Sequence, residues 1–152
     1  MSKAIVVYST RYGNTEKAAK AICEGLKEDG LDCDCKSIRD ITPSDVERYD
    51  VVLFGAPTHA NNIPEEMTRF MESLRQVELE GKVGAAFDTR YEDAEVGGLS
   101  VLERYMKELG ISLLSSGLPA LLPAGAYMGP LRKNELAKCR EFGKSIAQRA
   151  RV

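Results

Sequence analysis

The sequence predicts a doubly wound α/β fold: a five-stranded parallel sheet, order 2-1-3-4-5, with helices on both faces. Three observations carry this. Near-continuous apolar runs at 4–8, 51–56 and 83–87 read as strands buried on both faces. They alternate with stripes of helical spacing, and alternating units imply a parallel sheet with right-handed crossovers. Residues 31–35 alternate strictly, with Asp32 and Asp34 on one face. Burial on both sides would strand those carboxylates, so this strand belongs at the sheet edge. An edge second strand fits the order 2-1-3-4-5, whose switch point lies between strands 1 and 3. A ligand is expected beyond their C-terminal ends, at residues 9–15 and 56–63, joined by 88–98.

The elements follow in order. After the first strand, Asn14 is the expected N-cap of a helix with Ala18, Ala19, Ile22, Cys23 and Leu26 on one stripe, ending near Gly30. Pro43 and Ser44 open a short helical turn. The second buried run ends in a loop bounded by Pro57 and Pro64. Met67, Phe70, Met71 and Leu74 then recur at i, i+3, i+4 and i+7. The third buried run is rich in small residues, which permits close helix packing. A polar loop is expected from Asp88 to about Gly97. Leu99, Leu102, Met106 and Leu109 mark the next helix, 111–122 an extended segment broken by Gly117 and Pro119, and Leu136, Cys139, Phe142 and Ile146 the last helix.

The chain has 152 residues, about one domain's length, and is read as a single domain over 1–152. No apolar run approaches the ~20 residues of a membrane span, and the first residues lack a signal-type apolar core. The protein is therefore expected to be cytoplasmic and off the membrane. A net charge of −2 supplies no general attraction for nucleic acid. The cysteines, Cys23, Cys33, Cys35 and Cys139, form no C-x-x-C, and His59 is the only histidine. A zinc site is not expected. Cys33 and Cys35 point to one face of their strand and read as small buried hydrophobes rather than a redox pair.

The chemistry sits in the loops. Ser9-Thr10-Arg11-Tyr12-Gly13-Asn14-Thr15 joins a buried strand to a helix start and gathers three hydroxyls, an Asn and backbone N–H groups. Such donors at a helix N-terminus suit a phosphate. The spacing is neither that of a nucleoside-triphosphatase loop nor of a dinucleotide fingerprint. Residues 10–15 resemble the FMN phosphate loop of the flavodoxin family, T/S-x-x-G-N-T. The Tyr before the Gly is similar to the form in flavodoxin domains of flavodiiron proteins and in flavodoxin-like quinone reductases. Gly55-Ala56-Pro57-Thr58-His59-Ala60-Asn61-Asn62 resembles the G-S/A-P-T-x-x-N flavin loop of the same relatives. Asp88, Thr89, Arg90 and Tyr91 lie where the family's second flavin-flanking loop belongs.

The resemblance implies an FMN-binding electron carrier of low potential that exchanges electrons with a redox protein donor and acceptor, as a monomer or weak homo-oligomer. It implies a phosphate site at Ser9, Thr10, Arg11, Tyr12, Gly13, Asn14 and Thr15. It implies ring contacts from Pro57, Thr58, His59, Ala60, Asn61 and Asn62 and from Asp88, Thr89, Arg90 and Tyr91. A peptide at Ala60 and Asn61 would bond flavin N5; the family usually has a Gly in that flexible position. His59 would flank the ring and Tyr91 stack on it. Asp88, Glu92, Asp93 and Glu95 are expected to cluster beside the flavin and lower its second potential. Two other readings stand beside the carrier. One is an FMN-dependent NAD(P)H:quinone oxidoreductase, which needs a second pocket and insertions for which 152 residues leave little room. The other is a flavin-free interaction module, against which Thr10, Gly13, Asn14 and Thr15 argue. A response-regulator receiver is set aside: it needs acidic residues where Ser9, Thr10, Gly55 and Ala56 stand.

Overall fold

A computed structural model describes residues 2–94, 97–124 and 129–151. Parallel strands β1 (Lys3–Tyr8), β2 (Asp32–Ser37), β3 (Val51–Pro57) and β4 (Val83–Tyr91) lie in the order β2-β1-β3-β4. The far edge of β4 carries two short strands, β5 (Ser112–Leu113) and β6 (Leu118–Leu122). The helices are α1 (Asn14–Glu28), a single turn α2 (Pro43–Val46), α3 (Glu65–Ser73), α4 (Leu99–Glu108) and α5 (Glu135–Ala150).

Alternation along the central strands builds both faces. Ala4, Val6, Tyr8, Leu53, Ala85 and Phe87 point to one side, against Ile22 and Leu26 of α1 and Cys139 and Ile146 of α5. Ile5, Val7, Val52, Phe54 and Ala86 point to the other, against Met67 and Met71 of α3 and Leu102 and Met106 of α4. This is why the central strands read as unbroken apolar runs. β2 takes the edge, as its alternating carboxylates require. Asp34 is half-buried and accepts from the Tyr49 hydroxyl at 2.5 Å and pairs with Lys3 at 3.2 Å. The Tyr49 hydrogen bond, with Lys3, holds its carboxyl below the usual value.

Four expectations are corrected. The extended segment 111–122 is two strands sharing one edge position. Leu114 N–H still bonds Gly84, the chain steps away, and β6 rejoins β4 from Phe87 to Tyr91. That pairing keeps β4 extended to Tyr91, so Asp88, Thr89 and Arg90 are strand residues and not a loop. Gly13 rather than Asn14 is the N-cap of α1; Asn14 is its first residue. Leu136 is exposed, because α5 turns Cys139, Gly143, Ile146 and Ala147 inward instead.

Candidate functional site

The C-terminal ends of β1, β3 and β4 converge on a cleft of about 280 Å³. Its walls are Thr10, Arg11, Tyr12, Asn14 and Thr15 from the first loop, and Pro57, Thr58, His59, Ala60 and Asn61 from the second. Thr89, Arg90, Tyr91 and Ala94 come from β4 and the turn after it, and Leu122 from the end of β6. A cleft beyond the strand ends at the switch point of the sheet is the place the topology assigns to a ligand.

The first loop is shaped by its own backbone. Thr10 Oγ1 accepts from Gly13 N–H at 3.0 Å, closing a tight turn. Gly13 takes φ 94°, a left-handed value that favours glycine. A Cβ at Gly13 would meet nothing within 4 Å, so its constraint is conformational. Helix α1 starts there with no side-chain cap. Its first N–H groups therefore lack intrahelical acceptors at the positive end of the helix dipole. Thr15 is buried, and its hydroxyl meets that of Thr89 at 2.8 Å, which ties the first loop to β4. Asn14 Nδ2 donates to the Gly129 carbonyl at 2.9 Å and holds the segment before α5 against the same loop.

The second loop is a two-residue hairpin. His59 and Asn62 exchange both backbone hydrogen bonds, at 2.7 and 2.8 Å. The central residues Ala60 (φ 48°) and Asn61 (φ 65°) are both left-handed, the pattern of a type I′ turn. Asn62, after the turn, accepts from Ile63 N–H through Oδ1 at 2.8 Å. Asn tolerates this backbone, whereas Ala pays ~1–2 kcal/mol. Ala60→Gly is expected to stabilise the protein by about 0.5–1 kcal/mol net of unfolded-state entropy, raising Tm by roughly 1–4 °C. A lowered Tm in thermal unfolding would show that the turn is not left-handed at Ala60. Across the cleft mouth, Arg11 Nη1 donates to His59 Nε2 at 2.6 Å and links the two loops.

Beneath the cleft lies a buried polar knot. Thr58 Oγ1 donates to Asp88 Oδ2 at 2.5 Å and accepts from Gly98 N–H at 2.8 Å, while Arg90 Nε reaches the same carboxylate at 3.1 Å. Burial pushes the Asp88 carboxyl above its ordinary 3.8, against the pull of Thr58 and Arg90. A carboxyl raised by folding contributes stability that is fully present below the unfolded value and lost as pH rises through the folded one. Asp88→Asn removes that loss. Urea midpoints should therefore show the variant gaining on its parent as pH rises from about 3.8 toward neutrality. A parent that gains on the variant over that range would reverse the sign.

Among the described residues the expected acidic flank does not form. Asp88 has no exposed surface and lies under the cleft. Glu92 turns to Arg132 at 3.3 Å, Asp93 is not among the lining residues, and Glu95 lies outside the described residues. The charged side chains that line the cleft among the described residues are Arg11 and Arg90. Of the sequence candidates, Ser9, Gly13, Asn62 and Asp88 support the walls without lining them. Ser9 is buried beside a separate polar depression with Arg39 and Glu16. Ala94 falls within the expected 88–98 segment, whereas Leu122 and the Gly129 carbonyl were not anticipated. The rule of strand C-terminal ends pointed to Leu122; nothing in the sequence signalled Gly129.

The donor set fits an FMN phosphate: uncapped helix N–H groups, a left-handed Gly with open space beside it, and Thr10, Asn14 and Thr15. The remaining walls, with Tyr12, Pro57, Ala60, Tyr91, Ala94 and Leu122, offer apolar and aromatic surface for a flat ring. Among the described residues no acidic, cysteine or histidine side chains group to hold a metal, and no helix is long and apolar enough to cross a membrane.

Comparisons with known proteins agree. A flavodoxin from Clostridium saccharobutylicum is 29% identical, covering 98% of both chains. An NAD(P)H dehydrogenase (quinone) from Gluconacetobacter diazotrophicus is 26% identical, covering 94% of this chain and 81% of that one. A solved flavodoxin from the domain Archaea superposes with a TM-score of 0.84 at 26% identity, covering 99% of each chain. The sequence profile described as "Flavodoxin" matches residues 6–139. With the strand order, the left-handed turn at Gly13 and the cleft all in place, the chain belongs to the flavodoxin family of FMN-binding electron-transfer proteins.

Proposed function

We propose that the protein, working as a single domain in the cytoplasm, carries electrons on one FMN between a redox protein donor and a redox protein acceptor. The observation that carries the reading is the uncapped N-terminus of α1, entered through left-handed Gly13, opening into the cleft at the switch point. Thr10, Asn14, Thr15 and the α1 N–H groups bind the phosphate. Arg11 and the His59 hairpin close over the cleft mouth. Thr89, Arg90 and Tyr91 form the wall on the β4 side. When bound, FMN supplies one- and two-electron redox chemistry; the chain orients it and limits water.

A second reading, NAD(P)H:quinone oxidoreductase, draws on the quinone-dehydrogenase relative. The carrier is favoured by the flavodoxin relative, which matches this chain over 98% of both lengths. The protein is read as a monomer or weak homo-oligomer.

The test is to reconstitute with excess FMN and FAD, release and chromatograph the flavin, then supply NADPH and benzoquinone. One FMN per chain and turnover far below ~1 s⁻¹ are expected. FAD as the main species would overturn the cofactor reading. Turnover at enzyme rates would replace the carrier with the reductase.

A further inference from the structure

The polar knot beneath the cleft ends in a cation whose donors the protein leaves largely unused. Phe87 of β4 faces α1 and α5, and Ala86 faces α3 and α4. Alternation therefore turns Thr89 to the α1 side, where its hydroxyl meets Thr15, and Asp88 and Arg90 to the other. Arg90 Nε donates to both carboxylate oxygens of Asp88, at 3.2 and 3.1 Å. Among the described residues the two Nη groups, with four N–H donors, have no hydrogen-bond acceptor. The side chain keeps 14% of its surface exposed, and those donors stay accessible from the cleft that Arg90 lines.

The surroundings hold the guanidinium in place. A Cβ at Gly97 would collide with Asp88 Oδ2 and Arg90 Nη2, so the glycine leaves the pair its space. Thr58 donates to Asp88 from the opposite side and is itself fixed by Gly98 N–H at 2.8 Å. Arg11, the other cation on the walls, differs. It is exposed at the mouth and already donates to His59 at 2.6 Å. We infer that Arg90 binds the pyrimidine edge of the flavin and biases the site toward the reduced, anionic ring, with Asp88 as its positioning residue. The inference rests on the FMN reading above.

Position and chemistry assign the roles. The phosphate donors sit at α1, on the side of β4 that Thr89 faces, which leaves the ring to the side that Arg90 faces. The pyrimidine edge of a flavin carries its carbonyl oxygens and acceptor nitrogens; the opposite, dimethylbenzene edge carries none. A planar fork of donors matches neighbouring acceptors on such an edge. Reduction places negative charge on the same edge, and a cation in a partly buried site stabilises that charge more than it does the neutral oxidised ring. The Asp88 carboxylate has no exposed surface and lies under the cleft, so the ligand meets the positive end of the pair.

The test is an anaerobic redox titration of the full chain loaded with FMN, beside free FMN. By linkage, the difference between the two midpoints gives the ratio of affinities for reduced and oxidised flavin. Arg90→Gln should lower that ratio by about tenfold or more. Asp88→Asn combined with Arg90→Gln leaves no buried charge unpaired and should show the same fall, even if the single variant folds poorly. Gly97→Ala keeps every charge but displaces the guanidinium, and should lower the ratio in the same direction. Riboflavin-loaded protein should repeat the Arg90→Gln result, because the contact is to the ring. A ratio unchanged in both Arg90 variants, through equal losses for the two redox forms or none, would overturn the inference and leave the FMN reading standing. A fall with FMN but not with riboflavin would also overturn it, by assigning Arg90 to the phosphate. A parent that takes up no FMN would overturn both.

Discussion

Gly25→Ala is expected to destabilise the protein by roughly 3 kcal/mol, although alanine is the better helix former by ~1 kcal/mol. Helices α1 and α5 cross with their backbones nearly touching. A Cβ at Gly25 would sit 1.9 Å from the Arg140 carbonyl oxygen, and one at Gly143 would sit 2.1 Å from the Ile22 carbonyl oxygen. Both obstacles are backbone, so no rotamer change relieves them. The helices must separate, which opens the layer of Ile22, Leu26, Cys139, Ile146 and Ala147. The exposed ion pairs across this crossing, Arg140 with Glu24 and Glu28 and Lys144 with Glu28, offset little of that. For a chain of this size Tm should fall by roughly 6–12 °C. Gly143→Ala should act in the same direction. A Gly25→Ala protein within 1 kcal/mol of its parent in urea unfolding would show that the helices do not meet this closely.

Thr15→Val is expected to weaken FMN binding by ten- to hundredfold, ~1.5–3 kcal/mol, while riboflavin binding stays nearly unchanged. The substitution keeps the shape and removes a buried hydroxyl at the phosphate end of the cleft. That hydroxyl already meets Thr89 at 2.8 Å. With Thr89 donating to it, its own proton is available for a phosphate oxygen. Riboflavin lacks the phosphate, so comparing the two ligands by fluorescence titration isolates that contact. Equal losses for both would assign Thr15 the task of holding β4 and not the phosphate. Unchanged FMN affinity would remove Thr15 from the site.

Much of this was legible in the sequence. Double burial of the central strands shows as unbroken apolar runs, and the edge position of β2 shows in Asp32 and Asp34. Both signals are local, because burial of an entire strand acts on consecutive residues. The turn entering α1 was legible for the same reason: Thr10, Gly13, Asn14 and Thr15 form one contiguous turn whose geometry their own types dictate. In the second loop the hairpin's strain was visible only in part, since Ala60 carries no mark of a left-handed backbone.

What the sequence by itself determined is the layered sheet, the switch point and the residues at its mouth. Tertiary structure alone decided the charge of the site and the meeting of distant groups. Asp88 reads as the start of an acidic loop until β6 pairs along β4 and draws it under the cleft, where Thr58 and Arg90 satisfy it. Glu92 reads as its neighbour in that loop until Arg132, 40 positions away, takes it. Cys23 and Cys33 stand on different elements, and only the packing of α1 on β2 brings their sulfurs together. The physical reason is common to all three. Periodicity records which face of an element is buried, whereas a side chain's electrostatic and chemical role depends on the partners that folding brings from elsewhere in the chain.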